Sequence, residues 1–83
     1  MQLSELAKRC PARVTAIRDE HPDDAIAQRL RDLGFVPGET VEIVARAPFG
    51  GDPILVRIGG TRFALRRSEA ARIAVDTLEN VPT

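Results

Sequence analysis

The residues best suited to metal chemistry lie together in one short stretch, DEHPDD at residues 19–24. It places the only histidine of the chain, His21, among four carboxylate side chains. Imidazole and carboxylate groups are both ligands of divalent iron, manganese and zinc in proteins. The residue types and spacing therefore make His21, Asp23 and Asp24 candidate ligands of a weak divalent-metal site.

The same segment has a structural interpretation, in which it forms a solvated turn and Asp23 or Asp24 caps a following helix. A structural zinc site uses four ligands, mostly thiolates or imidazoles. The chain contains one histidine and one cysteine, Cys10, and neither an HxxxH nor a CxxC motif. The ligand count favours the structural interpretation, and no tightly bound cofactor is expected.

A glycine-rich loop, FGGDP at residues 49–53, is the second candidate site. A phosphate-binding loop leads into a helix N-terminus and often carries a lysine. This loop leads into a predicted strand and contains Asp52, which would repel phosphate, while Lys8 is the only lysine of the chain. Glycine and proline at these positions indicate a tight corner between two strands, which can be presented to a partner.

The segment 57–72 is rich in arginine, with five arginines and one glutamate, and five minus one gives a local charge of +4. Small β-barrels bind RNA, so an RNA-binding barrel is an alternative function. Base stacking, however, uses exposed aromatic side chains. The chain has no tryptophan or tyrosine and three phenylalanines, and nucleic acid is therefore not expected as a partner.

Length and composition limit the function classes further. Eighty-three residues make one domain, 1–83, which is too small for a deep substrate cavity beside a core. No nucleophile lies at a recognisable spacing from a base, so an enzyme is not expected. Twelve basic and twelve acidic side chains cancel, which gives no attraction to an anionic surface. One cysteine and the lack of a long apolar segment indicate a cytoplasmic protein that does not insert into a membrane.

Hydrophobic periodicity and turn residues predict five strands and one helix. The strands are expected at residues 13–18, 40–47, 54–58, 61–66 and 73–75. The helix is expected at 25–34, with helical turns at 3–7 and 67–72 and a frayed tail at 76–83. The predicted turns are a type II turn at Pro37-Gly38 and a two-residue hairpin at Gly59-Gly60.

These elements are expected to share one core. Its predicted members are Ile26, Leu30, Leu33, Val41, Ile43, Ile54, Val56, Phe63, Leu65 and Ile73. A meander of short strands exposes its edges, and closing the sheet into a barrel removes them. The predicted fold is mainly β: a small SH3-like β-barrel of about five strands with one inserted α-helix and short helical turns.

The order of these motifs resembles the FeoA family, small cytoplasmic proteins of the bacterial Feo ferrous iron uptake system. The shared pattern spans about residues 3 to 76. It comprises Leu-Gly-Phe after the helix, a Pro-Gly turn, a Pro-x-Gly-Gly-Asp-Pro loop, a glycine hairpin, and Ala-Leu-Arg followed by Glu-Ala. The matching positions are Arg29, Leu33, Gly34, Pro37, Gly38, Pro48, Gly50, Asp52, Pro53, Leu65, Arg66, Glu69 and Ala70.

The resemblance implies an SH3-like fold, no catalysis, and an accessory role toward FeoB, the membrane iron transporter whose cytoplasmic G-domain hydrolyses GTP. Docking on the cytoplasmic side of a FeoB-like transporter is the leading functional prediction. The residues expected to form the docking surface are Phe49, Gly50, Gly51, Asp52, Arg66 and Arg67. A metal-responsive sensor that uses His21 and its neighbouring carboxylates is the alternative, and a weak homo-oligomer is left open.

Overall fold

The computed structural model describes residues 1–78, which form one antiparallel sheet with a helix packed against it. The strands of this region are β1 (Ala12–Ile17), β2 (Thr40–Arg46), β3 (Ile54–Ile58), β4 (Thr61–Leu65) and β5 (Ile73–Thr77). The α-helices are α1 (Ala25–Leu33) and α2 (Arg67–Ala70), and 3-10 turns occupy Leu3–Glu5 and Phe49–Gly51. The sheet order is β4-β3-β2-β1-β5, so the five predicted strands and the inserted helix are confirmed.

Irregularities in two strands bend the sheet around its core. The register shifts between Val14 and Ala16 in β1 and between Ile43 and Ala45 in β2. Such bulges bend a strand and increase its local twist. Because β1 lies between β2 and β5, the fifth strand returns beside the first and the bent sheet covers one apolar interior.

The helix α1 begins and ends at residues whose local chemistry favours those positions. The carboxylate of Asp24 accepts hydrogen bonds from the N–H groups of Ile26 and Ala27 at 3.1 and 3.2 Å, as expected of an N-cap. Gly34 follows the helix with φ of +112°, the left-handed conformation that glycine adopts without a Cβ clash. The predicted cap and the predicted glycine stop are both confirmed.

The core draws side chains from all five strands and from α1. The predicted members that are buried are Leu30, Val41, Ile43, Ile54, Val56, Leu65 and Ile73. The prediction for Ile26 is wrong, since this side chain is 38% exposed, and Leu33 and Phe63 are only partly buried. The reason is that Ala27 and Leu30 form the inward stripe of α1, and successive residues of a helix are rotated by about 100°.

The predicted core also omits buried residues of the N-terminal segment, of β1 and β5, and of the segment just after the helix. They include Leu3, Leu6, Ala12, Val14, Phe35 and Val75. Phe35 is fully buried, and the centroid of its ring lies 6.1 Å from that of Phe63. Because Phe35 sits in a turn, no helical or strand period marks it, and only the tertiary contact reveals its role.

The predicted frayed tail at 76–83 needs a correction at its start. Asp76 and Thr77 belong to β5 and pair with Arg13 and Ala12 of β1. The N–H of Leu78 donates a hydrogen bond to the carbonyl of Pro11 at 3.2 Å. Pairing with β1 satisfies these backbone groups and extends the strand, while residues 79–83 of the predicted tail lie outside the described part of the chain.

Candidate docking surface

The loop that joins β2 to β3 projects an aromatic side chain into solvent. Phe49 is 98% exposed, although burial of its apolar surface would be favourable. Gly50 and Gly51 have φ of +93° and +71°, a region that residues with a Cβ rarely adopt. The N–H of Ala47 donates to the carbonyl of Pro53 at 3.0 Å and closes the base of the loop. The segment is a tight corner, as the sequence predicts.

A carboxylate and a guanidinium tie this corner to the start of α2. Asp52 Oδ1 accepts a hydrogen bond from the backbone N–H of Arg67 at 2.9 Å. The Arg67 guanidinium donates in turn to the carbonyl of Gly50 at 3.4 Å. Asp52, Pro53 and Arg66 line a surface depression of about 340 Å³. The loop is therefore held in place by two hydrogen bonds from Arg67, and Arg66 lines the depression beside it.

The structure brings the six residues of the predicted docking surface side by side, and we call this set the loop–arginine face. Its members are Phe49, Gly50, Gly51, Asp52, Arg66 and Arg67. Among residues 1–78, neither Arg66 nor Arg67 forms an ion pair with a carboxylate. By contrast, Arg57 pairs with Glu42, and Arg72 pairs with the buried Asp24 and the half-exposed Glu20. Three arginines of segment 57–72 thus lack an ion pair among the described residues, and two of them, Arg66 and Arg67, lie on this face while Arg62 does not.

An apolar groove lies on the outer surface of the sheet beside the loop–arginine face. It has a volume of about 220 Å³ and is lined by Ala45, Arg46, Ala47, Pro53, Ile54, Leu55 and Ala64. Sequence analysis missed this groove. The available signal was the outward position of small or apolar residues in three adjacent strands, because alternate residues of a strand face opposite sides.

In the candidate metal-binding segment 19–24, the last residue, Asp24, is buried. Its carboxylate accepts four hydrogen bonds, from the backbone N–H groups of Glu20, Ile26 and Ala27 and from the guanidinium of Arg72. The contact from Arg72 is 2.6 Å long. The N–H of Glu20 first, and then that of Ala27 and the charge of Arg72, lower the pKa of Asp24 to about 2, against the opposing effect of desolvation.

The other two candidate ligands do not group with this carboxylate as the ligands of a metal ion would. His21 and Asp23 are exposed, and the Nδ1 atom of His21 lies 3.2 Å from the carbonyl of Pro22. Both oxygens of Asp24 are already occupied by donors. Nowhere in residues 1–78 do three His, Cys, Asp or Glu side chains group closely enough to hold a metal ion. The described structure therefore gives Asp24 the role of helix cap and ion-pair partner.

The lowered pKa predicts a specific loss of stability in acid. The folded-state pKa of Asp24, about 2, lies below the ordinary aspartate value of about 3.9. Its contribution is therefore fully present above about pH 4 and is lost as the pH falls toward 2. The ion pair with Arg31 lowers the pKa of Asp19 in the same direction. We expect the free energy of unfolding, measured with urea between about pH 5 and pH 2, to fall steeply in wild type as the pH is lowered. In Asp24→Asn the same decrease should be shallower. Equal slopes for the two proteins would contradict this assignment.

A family profile described as the FeoA domain matches residues 1–77. The chain belongs to the FeoA family. The crystal structure of Stenotrophomonas maltophilia FeoA complexed with zinc is similar to it, with 58% identity and a TM-score of 0.85, covering 92% of this chain and 89% of that one. That protein is described as a prokaryotic SH3 domain protein, which confirms the predicted fold.

Two further relatives extend the comparison. The solution structure of FeoA from Chlorobium tepidum is 39% identical, with a TM-score of 0.84, and the match covers 99% of this chain and 74% of that one. A protein of Porphyromonas gingivalis, a fusion of Fe(2+) transport protein A with the Fe(2+) transporter FeoB, is 32% identical over 83 residues. This chain spans only 9% of the length of that fusion protein.

Family membership also decides the broad class of function. The FeoA family comprises non-catalytic accessory domains of the ferrous iron transport system, which confirms that this chain is not an enzyme. Across residues 1–78, no helix combines the length and the apolar character needed to cross a membrane.

Proposed function

We propose that this protein is a cytoplasmic accessory protein of bacterial ferrous iron uptake that docks on the cytoplasmic G-domain side of a FeoB-like transporter. The observation that carries the proposal is the Porphyromonas gingivalis relative, in which Fe(2+) transport protein A and FeoB are joined in one chain. A covalent link keeps two modules at high local concentration. Where the modules are separate chains, a docking surface must supply the same proximity.

The loop–arginine face has the properties of such a surface. Aromatic and arginine side chains are enriched at protein interfaces and often dominate their binding energy. Here Phe49 is almost fully exposed, and Arg66 and Arg67 carry uncompensated charge. The bond from Arg67 to Asp52 and the constrained glycines hold the loop in one conformation. A surface that is ordered before binding loses less entropy when its partner arrives.

Truncation of the anchor residues of this face is expected to weaken docking. We expect Phe49→Ala combined with Arg66→Ala to reduce affinity for the isolated cytoplasmic domain of a FeoB-like transporter by roughly 30-fold, equivalent to about 2 kcal/mol. The double variant removes one positive charge and one aromatic side chain that the partner would cover in the complex. Titration calorimetry, with and without GTP, measures the change, and co-purification from cells provides a second measurement.

The matched control removes the same chemistry from elsewhere on the molecule. Ile26 is also an apolar residue with an exposed side chain. Arg13 is an exposed arginine that forms no ion pair among the described residues. The double variant Ile26→Ala with Arg13→Ala should bind the transporter domain as wild type does. If the Phe49 and Arg66 variant keeps its circular dichroism spectrum and wild-type affinity, the loop–arginine face is not the interface.

The two alternative functions gain no support from the described residues. A metal sensor built on the 19–24 segment would need Asp24 as a ligand, yet its oxygens are engaged by the cap and by Arg72. An RNA-binding barrel would need several exposed aromatic platforms. In residues 1–78 only Phe49 is an exposed aromatic, and one ring at the tip of a loop suits a protein pocket better than a base stack.

A further inference from the structure

Within residues 1–78, one outer edge of the sheet is covered by another segment of the chain, and the other outer edge is not. The outer edge of β5 is covered by the N-terminus, because Gln2 bridges to Ala74 and the N–H of Val75 donates to the carbonyl of Met1 at 2.8 Å. The outer edge of β4 has no comparable cover in the described part of the chain. An uncovered edge presents unpaired N–H and C=O groups and is a template for another strand.

The register of the β3–β4 hairpin shows which backbone groups are free. Ile58 and Thr61 flank the two-residue turn and therefore form a hydrogen-bonded pair. Because hydrogen-bonded and non-bonded pairs alternate along an antiparallel ladder, Val56 and Phe63 are bonded, whereas Arg62 and Ala64 occupy non-bonded positions. The N–H and C=O groups of Arg62 and Ala64 thus point away from β3, and both residues are exposed.

The side chains at this edge specify the chemistry of an incoming strand. Arg62 forms no ion pair among residues 1–78, and Arg66 and Arg67 of the loop–arginine face follow directly after β4. Opposite charges on directly facing residues stabilise a ladder. Ala64, two positions further along β4, lines the apolar groove together with Leu55. A complementary strand therefore carries acidic residues facing the arginines and an apolar residue facing Ala64.

We propose that the free edge of β4 takes an extended acidic segment of the docking partner as a sixth strand of the sheet. This inference rests on the proposed function and names the part of the partner that is bound. Strand addition of this kind draws its affinity from main-chain hydrogen bonds and its specificity from alternate side chains. A second copy of this chain is a poor occupant of this edge. Antiparallel pairing of β4 with itself places Arg62 and Arg66 of both copies along one short ladder, where their like charges repel.

The test removes the N–H of Ala64 without touching the β3–β4 ladder. Ala64→Pro abolishes this outward donor, and proline is tolerated at such positions of an edge strand. We expect it to weaken binding of the cytoplasmic domain of a FeoB-like transporter by about tenfold, the equivalent of one hydrogen bond. Ala64→Ser changes the side chain and keeps the N–H, so its loss of affinity should be several times smaller, about threefold at most.

Amide hydrogen exchange of the wild-type protein tests the same edge without any substitution. In the free protein the amides of Arg62 and Ala64 should exchange rapidly, and on addition of the transporter domain they should slow by at least about tenfold. Unchanged exchange at both amides, or equal affinity of Ala64→Pro and Ala64→Ser, overturns the proposal. If the loop–arginine double variant still weakens binding in that case, the proposed function stands without strand addition.

Two other results would also overturn the inference. If the amide of Ala64 becomes protected in the free protein as its concentration rises, and sedimentation shows a dimer, the occupant is a second copy of the chain. If wild type does not bind the transporter domain at all, both the proposed function and the strand addition fail.

Reversal of one edge charge, Arg62→Glu, is expected to weaken binding more than tenfold at low salt and less at high salt.

Discussion

Replacing Leu30 by alanine is expected to lower the free energy of unfolding by about 2–5 kcal/mol. Leu30 is fully buried and lies on the inward stripe of α1. Truncation removes apolar contacts and leaves a cavity that the sheet beneath can fill only in part. A domain of this size has a total stability of roughly 5–15 kcal/mol, so the variant loses a large share of it. Urea unfolding followed by circular dichroism measures the change.

The control for this prediction lies on the same helix. Ile26→Ala removes a similar side chain from a position that is 38% exposed, and it should cost no more than about 1 kcal/mol. The pair of variants tests the orientation of α1 rather than the presence of a helix. If Ile26→Ala were the more damaging of the two, the inward stripe would have been assigned to the wrong side.

The second large effect is expected from Arg72→Met. The Arg72 side chain is 10% exposed and that of Asp24 is 1% exposed, and their charged atoms lie 2.6 Å apart. Arg72 also donates to Glu20 at 3.0 Å. Methionine preserves most of the apolar stem but leaves a buried carboxylate without its guanidinium partner. Breaking a buried pair from one side typically costs about 3–5 kcal/mol, and thermal unfolding should show a clear decrease in Tm.

A surface arginine provides the comparison for this ion pair. Arg18 lies 3.8 Å from the same Glu20, but both side chains are about half exposed. Arg18→Met should therefore cost less than about 1 kcal/mol. Adding Asp24→Asn to Arg72→Met should recover part of the loss, because the amide keeps the capping oxygen and removes the unpaired charge. If Arg72→Met melted as wild type does, the buried pair would not contribute to stability.

Local features of this fold could be predicted from the sequence because neighbouring residues decide them. The bounds of β3 agree with the predicted strand 54–58. Asp24 and Gly34 delimit α1 as predicted, and Gly38 has the positive φ, +97°, that a type II turn requires. The glycine-rich loop is a corner for the same reason, since backbone conformation within a few residues depends on Cβ sterics and short-range hydrogen bonds.

The composition of the candidate docking surface was predictable only in part. Binding residues concentrate on loops and arginine is enriched at interfaces, which groups the 49–53 loop with Arg66 and Arg67, and the structure places this loop in contact with Arg67. The apolar groove beside them was missed, because it depends on the alignment of three strands. Register is a property of pairing between distant segments, and no single strand carries that information.

The sequence by itself determined the order of the helices, strands and turns and most of their bounds, because capping, φ preference and periodicity are local, whereas pairing with β1 decided where β5 ends. Tertiary structure decided which side of each element faces inward and which edge of the sheet stays open. Asp24 becomes a buried ion-pair partner because Arg72, 48 positions away, packs against it. Ile26 turns outward because Ala27 and Leu30 meet the sheet. Such contacts depend on the packing of distant segments into one dense interior, which local patterns do not encode.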